Sequence, residues 1–212
     1  MFGGPGRGLS YGRVTIRLLR PSDAKALDHE LLANRTWLRK WEATDPTGWP
    51  RTGARPLIRA LRAGYRAGNT VPFAILVDGE LVGQLNISAI GYGSLSSASI
   101  GYWIAERAAG HGFTAIAVAL ATDYAFQTLK LHRIEICIRP ENSASLRVVE
   151  KLGFRFEGKR RGYIHIDGAW RDHVCFALLS EEAPGGMLTR VPGPDPVSGE
   201  RWPYEVPRWD AR

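Results

Sequence analysis

The chain has 212 residues, 44% of them hydrophobic and 23% charged, a composition that suits one globular domain with appendages and excludes collagen-like, mucin-like and wholly disordered chains. No run approaches the roughly 18 apolar residues of a membrane span, and the opening Met1-Phe2-Gly3-Gly4-Pro5-Gly6-Arg7-Gly8 has no apolar signal core, so neither membrane insertion nor export is expected. The 28 Lys and Arg residues against 21 Asp and Glu give a net charge of +7, which favours an anionic partner such as a phosphate-rich cofactor or nucleic acid.

Residues 1–12 are Gly-rich and expected to be a frayed, flexible N-terminus. Val14 to Arg20 reads as a strand that Pro21 stops, and Ser22 or Asp23 can cap a helix running to about Asn34. Trp37, Trp41 and Trp49 follow in a loop-rich stretch, and Arg55 to Gly68 is a second helix with Leu57, Ile58, Leu61 and Tyr65 on one face. Two strands, Phe73 to Val77 and Leu81 to Ile87, flank Asp78-Gly79, a favoured two-residue hairpin turn. Another strand, Ala98 to Ile104, leads through a Gly-containing loop into a helix over about Phe113 to Leu129, with Phe113, Ile116, Ala117, Leu120 and Tyr124 at helical spacing.

His132 to Arg139 alternates as a strand that Pro140 ends. Asn142 can cap a helix that Gly153 terminates. Phe154 to Glu157 and Asp172 to Leu179 read as two further antiparallel strands. The two cysteines, Cys137 and Cys175, lie inside apolar runs and are expected as buried, reduced thiols of a cytoplasmic protein. The tail after Ala183 carries Pro184, Pro192, Pro194, Pro196, Pro203 and Pro207 with Trp202, Tyr204 and Trp209. It reads as an extended appendage suited to docking, for instance by clasping a second copy of the chain. The domain organisation expected is therefore 1–12, 13–181 and 182–212, with a mixed α+β sheet in the middle unit.

The stretch most informative about chemistry is Trp103-Ile-Ala-Glu-Arg107-Ala-Ala-Gly110-His-Gly112-Phe-Thr114. A strand ends, a tight loop follows and a helix begins. The first N–H groups of a helix have no intrahelical partner and carry partial positive charge. Gly110 and Gly112 let backbone approach an anion closely, and Arg107 adds a fixed charge. Neither the Lys-Ser/Thr ending of a Walker loop nor the six-residue glycine spacing of a dinucleotide fingerprint is present.

Arg107-x-x-Gly110-x-Gly112 at a strand-to-helix junction resembles the acetyl-CoA loop of the GNAT superfamily of N-acetyltransferases. Asn142-Ser-Ala-Ser145-Leu-Arg147-Val-Val-Glu-Lys151-Leu-Gly-Phe154 is a second family-like signature in the expected order. Arg155-Phe-Glu157-Gly158 and Asp167-Gly-Ala-Trp170-Arg-Asp172-His173 are similar to the subgroup of ribosomal-protein-alanine N-acetyltransferases (RimJ/RimL-like). The likeness covers about residues 12–181.

The resemblance implies a mostly antiparallel sheet of six or seven strands, flanked by helices, in which two central strands splay apart. Here they would be Ala98–Ile104 and His132–Arg139. Acetyl-CoA would enter the splay, with its pantetheine on backbone near Trp103, Ile104 and Ala105. A backbone N–H at Ile104 or Ala105 could polarise the thioester carbonyl. The pyrophosphate would sit on Arg107, Ala108, Ala109, Gly110, His111, Gly112, Phe113 and Thr114. Asn142 and Arg147 would also touch the cofactor, and Ser145 would donate to the departing thiolate. A RimL-like enzyme is expected to carry a Glu a few residues after the Glu-Gly pair, but Lys159-Arg160-Arg161-Gly162-Tyr163 holds no acid. Glu42 ranks first as general base, ahead of Asp45, Glu106 and Glu157, and Tyr163 could assist as an acid. An α-amine titrates near 7.7–8.0, against about 10.4 for Lys, so an N-terminal acceptor needs little help from a base.

The acceptor expected is a protein N-terminus, with ribosome association. A basic surface fits CoA phosphates and nearby rRNA better than a basic peptide. A small amine such as an aminoglycoside or polyamine is the alternative, with Glu42 and Asp45 beginning an acidic pocket; a CoA-sensing or RNA-binding module without turnover is another. His165, Asp167 and His173 do not make a convincing metal set, and no metal is expected.

Overall fold

Period-two apolar patterning builds one eight-stranded sheet. In a computed structural model that describes residues 8–47 and 53–191, the strands are β1 (Leu9–Tyr11), β2 (Val14–Leu18), β3 (Val71–Val77), β4 (Glu80–Gly91), β5 (Ser97–Ile104), β6 (Arg133–Ile138), β7 (Arg155–Ile166) and β8 (Ala169–Leu179). Their spatial order is β1-β2-β3-β4-β5-β6-β8-β7. The helices are α1 (Ala24–Ala33), α2 (Arg35–Arg39), α3 (Ala54–Arg66), α4 (Phe113–Gln127) and α5 (Ser143–Lys151). The α+β expectation holds, with eight strands in place of six or seven. The addition is β1, from residues expected to be frayed: Leu9 is buried and pairs with Ile16 across the Gly12 turn.

All neighbouring strands are antiparallel except β5 and β6. Those two pair only at Ser97↔Arg133, Ala98↔Ile134 and Ser99↔Glu135. Beyond Ser99 they part: β6 follows β8 along its whole length, from Arg133↔Leu179 to Ile138↔Val174, and β5 follows β4. The sheet has two differently covered faces. On one, Phe73, Ile75, Ile100, Ile134, Ile136 and Phe176 meet α4 and α5. On the other, Ala74, Leu76 and Leu81 meet Leu27 of α1 with Ala54 and Ile58 of α3. The odd-numbered residues of β6, Glu135 and Cys137, lie on this second face.

Several elements differ from expectation for stated reasons. Trp37 sits in a short helix, α2, rather than a loop. Asp23 stands at the N-cap of α1 without capping it; its carboxylate instead takes both terminal nitrogens of Arg17, at 2.7 and 2.8 Å, and the Arg20 N–H. β7 runs through the charged Lys159-Arg160-Arg161 stretch to Ile166, with register shifts at Phe156/Gly158 and Arg160/Ile164. It is an edge strand, where charge and bulges discourage further pairing and hide the alternation. Cys137 and Cys175 stand opposite each other on β6 and β8 and are joined in a disulfide, so they are not the reduced thiols expected. Antiparallel pairing brings the side chains together despite a separation of 38 residues. No helix of the described residues is long and apolar enough to cross a membrane.

The apolar face expected for α4 becomes burial around nearly its whole circumference, from Ala115 to Ala125. Residues 183–191, expected as part of an extended appendage, cover its outer side. Met187 is fully buried, its N–H donating to Asp123 Oδ1 at 2.7 Å, and Arg190 donates to Leu152 O at 2.6 Å. Burial pushes the Asp123 carboxyl above its ordinary range. Trp49, the first seven residues and the tail from residue 192, with Trp202, Tyr204 and Trp209, lie outside the described residues. Met187→Ala is expected to cost about 2–4 kcal/mol of unfolding free energy, read from urea denaturation, because it opens a cavity over α4.

Candidate active site

The parting of β5 and β6 leaves backbone groups without a strand partner. In an antiparallel pair, alternate residues bond to the neighbour and the others turn away. Ala105 N–H donates to Val82 O at 2.7 Å. By alternation Trp103 bonds to β4 as well, and Tyr102 and Ile104 present their N–H and C=O groups to the cleft. Of the three residues expected to meet a pantetheine chain, only Ile104 therefore has free backbone there, and Tyr102 was missed. Ala105 N–H cannot serve as an oxyanion donor, since Val82 holds it. The Ile104 carbonyl accepts the Trp37 indole N–H at 3.1 Å, which ties α2 to the cleft wall.

At the end of β5 a single 3-10 turn, Glu106–Ala108, leads to α4. Ala108 and Ala109 spend their N–H groups inside this turn, on Ala105 and Glu106 carbonyls, so these two amides are not available to an anion. Gly110 and Gly112 have φ of +82° and +80°, the region that disfavours any side chain. Nothing lies within 4 Å of where a Gly110 side chain would start. Gly112 is the N-cap of α4 and supplies no capping side chain. The first bond of α4 runs from Ile116 N–H to Gly112 O, at 3.2 Å, leaving the Phe113, Thr114 and Ala115 N–H groups without an intrahelical acceptor. Phe113 itself is buried, and His111 is exposed and stacked on its ring at 5.5 Å. An anion at this helix end completes the cap and meets the positive end of the helix dipole.

Arg107 is shared. One terminal nitrogen pairs with Glu30 at 2.5 Å, and the side chain is 50% exposed. Glu30 is buried, and Asn34 beside it accepts the Glu106 N–H at 2.8 Å, so α1 locks the loop in place. Another cation beside the seat comes from α5. Lys151 Nζ lies 3.9 Å from where a Gly112 side chain would begin. Burial holds its pKa below the ordinary lysine value. Arg147, one turn earlier, is exposed on the same helix. Lys151 was missed, though its i,i+4 spacing from Arg147 signals a shared face.

Asn142 is the N-cap of α5, its Oδ1 accepting the Ser145 N–H at 3.1 Å. Ser145 is half-buried in the first turn, and the Tyr102 hydroxyl interacts with it from β5. Tyr163 is on the other face of the sheet, edge-on to the His173 ring at 5.7 Å, with its hydroxyl accepting from Arg160 at 2.9 Å. Glu42 accepts from Arg35 at 2.8 Å. Asp45 accepts the Thr47 N–H at 2.8 Å, and Glu157 binds Arg133. His165 bonds Thr44, Asp167 pairs with Arg39, and buried His173 bonds the Arg171 carbonyl, so the three do not converge. Glu135, Cys137 and Cys175 do lie close together, but the disulfide removes both thiolates as ligands.

A cleft between parted strands, with the uncapped N-terminus of a helix and a lysine at one end, can receive an anionic group there. Residues 13–155 match the family model described as Acetyltransferase (GNAT) domain. The putative ribosomal N-acetyltransferase YdaF of Bacillus subtilis is 34% identical over 174 residues, 81% of this chain and 94% of the relative. The [Ribosomal protein uS5]-alanine N-acetyltransferase of Escherichia coli is 30% identical over 186 residues, 84% and 93% respectively. The structure of Mycobacterium smegmatis RimJ in complex with CoA-disulfide superposes with a TM-score of 0.78 at 39% identity, covering 84% of this chain and 87% of that one. The chain belongs to the GNAT acetyltransferase family.

Gly112→Glu is expected to abolish acetyl-CoA binding in calorimetry, and Lys151→Met to weaken it about tenfold through loss of a partly buried cation. Separately, burial holds the His173 pKa below its ordinary 6.5. The unfolded chain then binds a proton that the folded one refuses, so stability falls as pH drops below about 6.5. The urea midpoint should decline between pH 7 and pH 5, and decline less in His173→Gln.

Proposed function

We propose that the protein transfers acetyl from acetyl-CoA to the N-terminal α-amine of a protein, of the ribosomal-protein-alanine type. The observation that carries the donor half is the uncapped α4 N-terminus at the closed end of the β5–β6 cleft. The loop from Gly110 to Thr114 would hold the pyrophosphate with Lys151, Arg147 and the free nitrogens of Arg107. The cleft-facing groups of Tyr102 and Ile104 would pair with the pantetheine, and the Asn142 amide would add a donor. The cosubstrate supplies the activated acetyl thioester.

Ser145 is assigned the hydrogen bond to the departing sulfur, at the positive end of α5. Tyr163 is on the opposite face and belongs to the acceptor wall. Glu42 is assigned the amine proton, taken through water; an α-amine already near its own pKa asks little of a base. The acceptor side carries two cations on its tryptophans, one of them, Arg139, paired with Glu141. Lys40 lies over the Trp37 and Trp41 rings at 5.8 and 5.2 Å and Arg139 over Trp41 at 5.5 Å. Lys40 pairs with no carboxylate among the described residues. Such a wall opposes a polyamine or aminoglycoside, and a peptide with a single α-amine meets less repulsion.

The test is thiol release from acetyl-CoA against peptides with free N-terminal Ala, Ser or Thr, an N-blocked Lys peptide, spermidine and an aminoglycoside. Release with the free N-terminal peptides alone is expected; release with the small amines alone would move the function to small-molecule acetylation. Ser145→Ala should lower kcat by about 100-fold with acetyl-CoA affinity little changed. Glu42→Gln should lower kcat/KM about tenfold at pH 6.5, with the deficit shrinking above pH 8 as the amine becomes neutral unaided. A purely structural Arg35–Glu42 pair would give a loss independent of pH.

A further inference from the structure

Tyr102 holds an unusual place. Its backbone faces the cleft, its side chain passes to the α4–α5 face, and its hydroxyl is buried without closing a hydrogen bond of ordinary geometry among the described residues. Thr122 Oγ1 is the other buried side-chain oxygen so left, but it lies inside α4, where its own turn offers carbonyls. The Tyr102 oxygen lies across from the Ser145 hydroxyl of α5, the polar side chain that acts on it among the described residues. A buried hydroxyl left without a bond is destabilising, and phenylalanine would fill the same space without that cost. Orphaned polar atoms of this kind gather where a structure waits for a ligand or serves a reaction.

We propose that Tyr102 is a positioning residue for the leaving-group side of the reaction, its O–H donating to Ser145 Oγ so that the Ser145 O–H is directed into the β5–β6 cleft toward the cosubstrate's sulfur. The inference rests on the function proposed above. A serine hydroxyl both donates and accepts, and what it does is set by its neighbours. In its first turn Ser145 can turn its proton back onto a nearby backbone carbonyl. A donor at Oγ favours the rotamer that points the proton outward. Tyr102 is suited to be that donor, because burial pushes its pKa up to about 12 and keeps it protonated throughout the working range. No proton is lost from the pair; two hydroxyls in series strengthen one hydrogen bond to developing negative charge on sulfur.

The readout independent of turnover is the thiol of bound CoA, titrated by thiolate absorbance in the ultraviolet with no acceptor present. The pair should lower that thiol's apparent pKa when CoA is bound. Tyr102→Phe and Ser145→Ala should each raise it, by about half a unit or more, and the double variant should match Ser145→Ala. In turnover, Tyr102→Phe should lower kcat about fivefold to tenfold with little change in acetyl-CoA KM, and should have no further effect in the Ser145→Ala background. A bound thiol that titrates identically in wild type and Tyr102→Phe, or losses in kcat that simply multiply in the double variant, would overturn the proposal and leave Tyr102 a packing residue. Failure of the wild type to bind CoA at all would overturn the function on which it rests, whereas normal CoA titration with no acetylated acceptor would count against the acceptor assignment alone.

Discussion

A backbone N–H or C=O inside a folded protein must be bonded to something, and the parting of β5 from β6 creates groups for which the sheet has no answer. β6 keeps β8 along its full length and β5 keeps β4, while between β5 and β6 the pairing stops at Ser99. The cleft-facing groups of Tyr102 and Ile104 are the result. One of them, the Ile104 carbonyl, is met by the Trp37 indole of α2, and the loop after α2 is fastened by Arg139 to the Lys40 carbonyl and by Thr44 to His165. The rest of the site is arranged around that gap: the loop and α4 close one end, the N-terminus of α5 approaches one face, and the polar half of β6 and β8 forms the other.

Charge is distributed to match. Glu42, Glu157, Asp23 and Asp167 are each held by an arginine, so their contribution near the cleft is largely neutralised. Cations stand on both sides of the cleft: Lys151 of α5 beside the start of α4, and Lys40 with Arg139, itself paired with Glu141, on the tryptophans of the opposite side. Arg107 shows how one residue serves two ends. Its bond to buried Glu30 offsets the desolvation of that carboxylate and fixes the loop, while half of its side chain stays exposed. The division of the sheet into an α4–α5 face and an α1–α3 face also separates the chemistry, with Ser145 and Tyr102 on the first and Glu42 and Tyr163 on the second.

Residues 183–191 belong to the same unit as the sheet. A helix as apolar as α4, which carries alanines at 115, 117, 119, 121 and 125 and just one acidic residue, needs cover on its outer side as well as from the sheet. Residues 183–191 supply it. They are fastened to Asp123, whose carboxylate accepts the Met187 N–H inside the core.

Much of this was legible in the residues. Alternation at His132–Arg139, the Asp78-Gly79 turn, the Asn142 cap and the glycines at 110 and 112 each report a local requirement of backbone geometry, and local requirements are written in adjacent residues. The same holds for the anion seat, because a helix N-terminus with a glycine cap is a property of a dozen consecutive positions. What the sequence could not settle depends on pairs far apart in the chain. Cys137 meets Cys175 only because β6 chose β8 as its partner. The amides of Ala105, Ala108 and Ala109 look as available as that of Gly110 until tertiary register and one 3-10 turn assign them acceptors. β7 hid in its charges because an edge strand is not obliged to alternate. Tyr102 reads as one more aromatic in an apolar strand; its buried hydroxyl acquires meaning only when α5 folds back to set Ser145 against it.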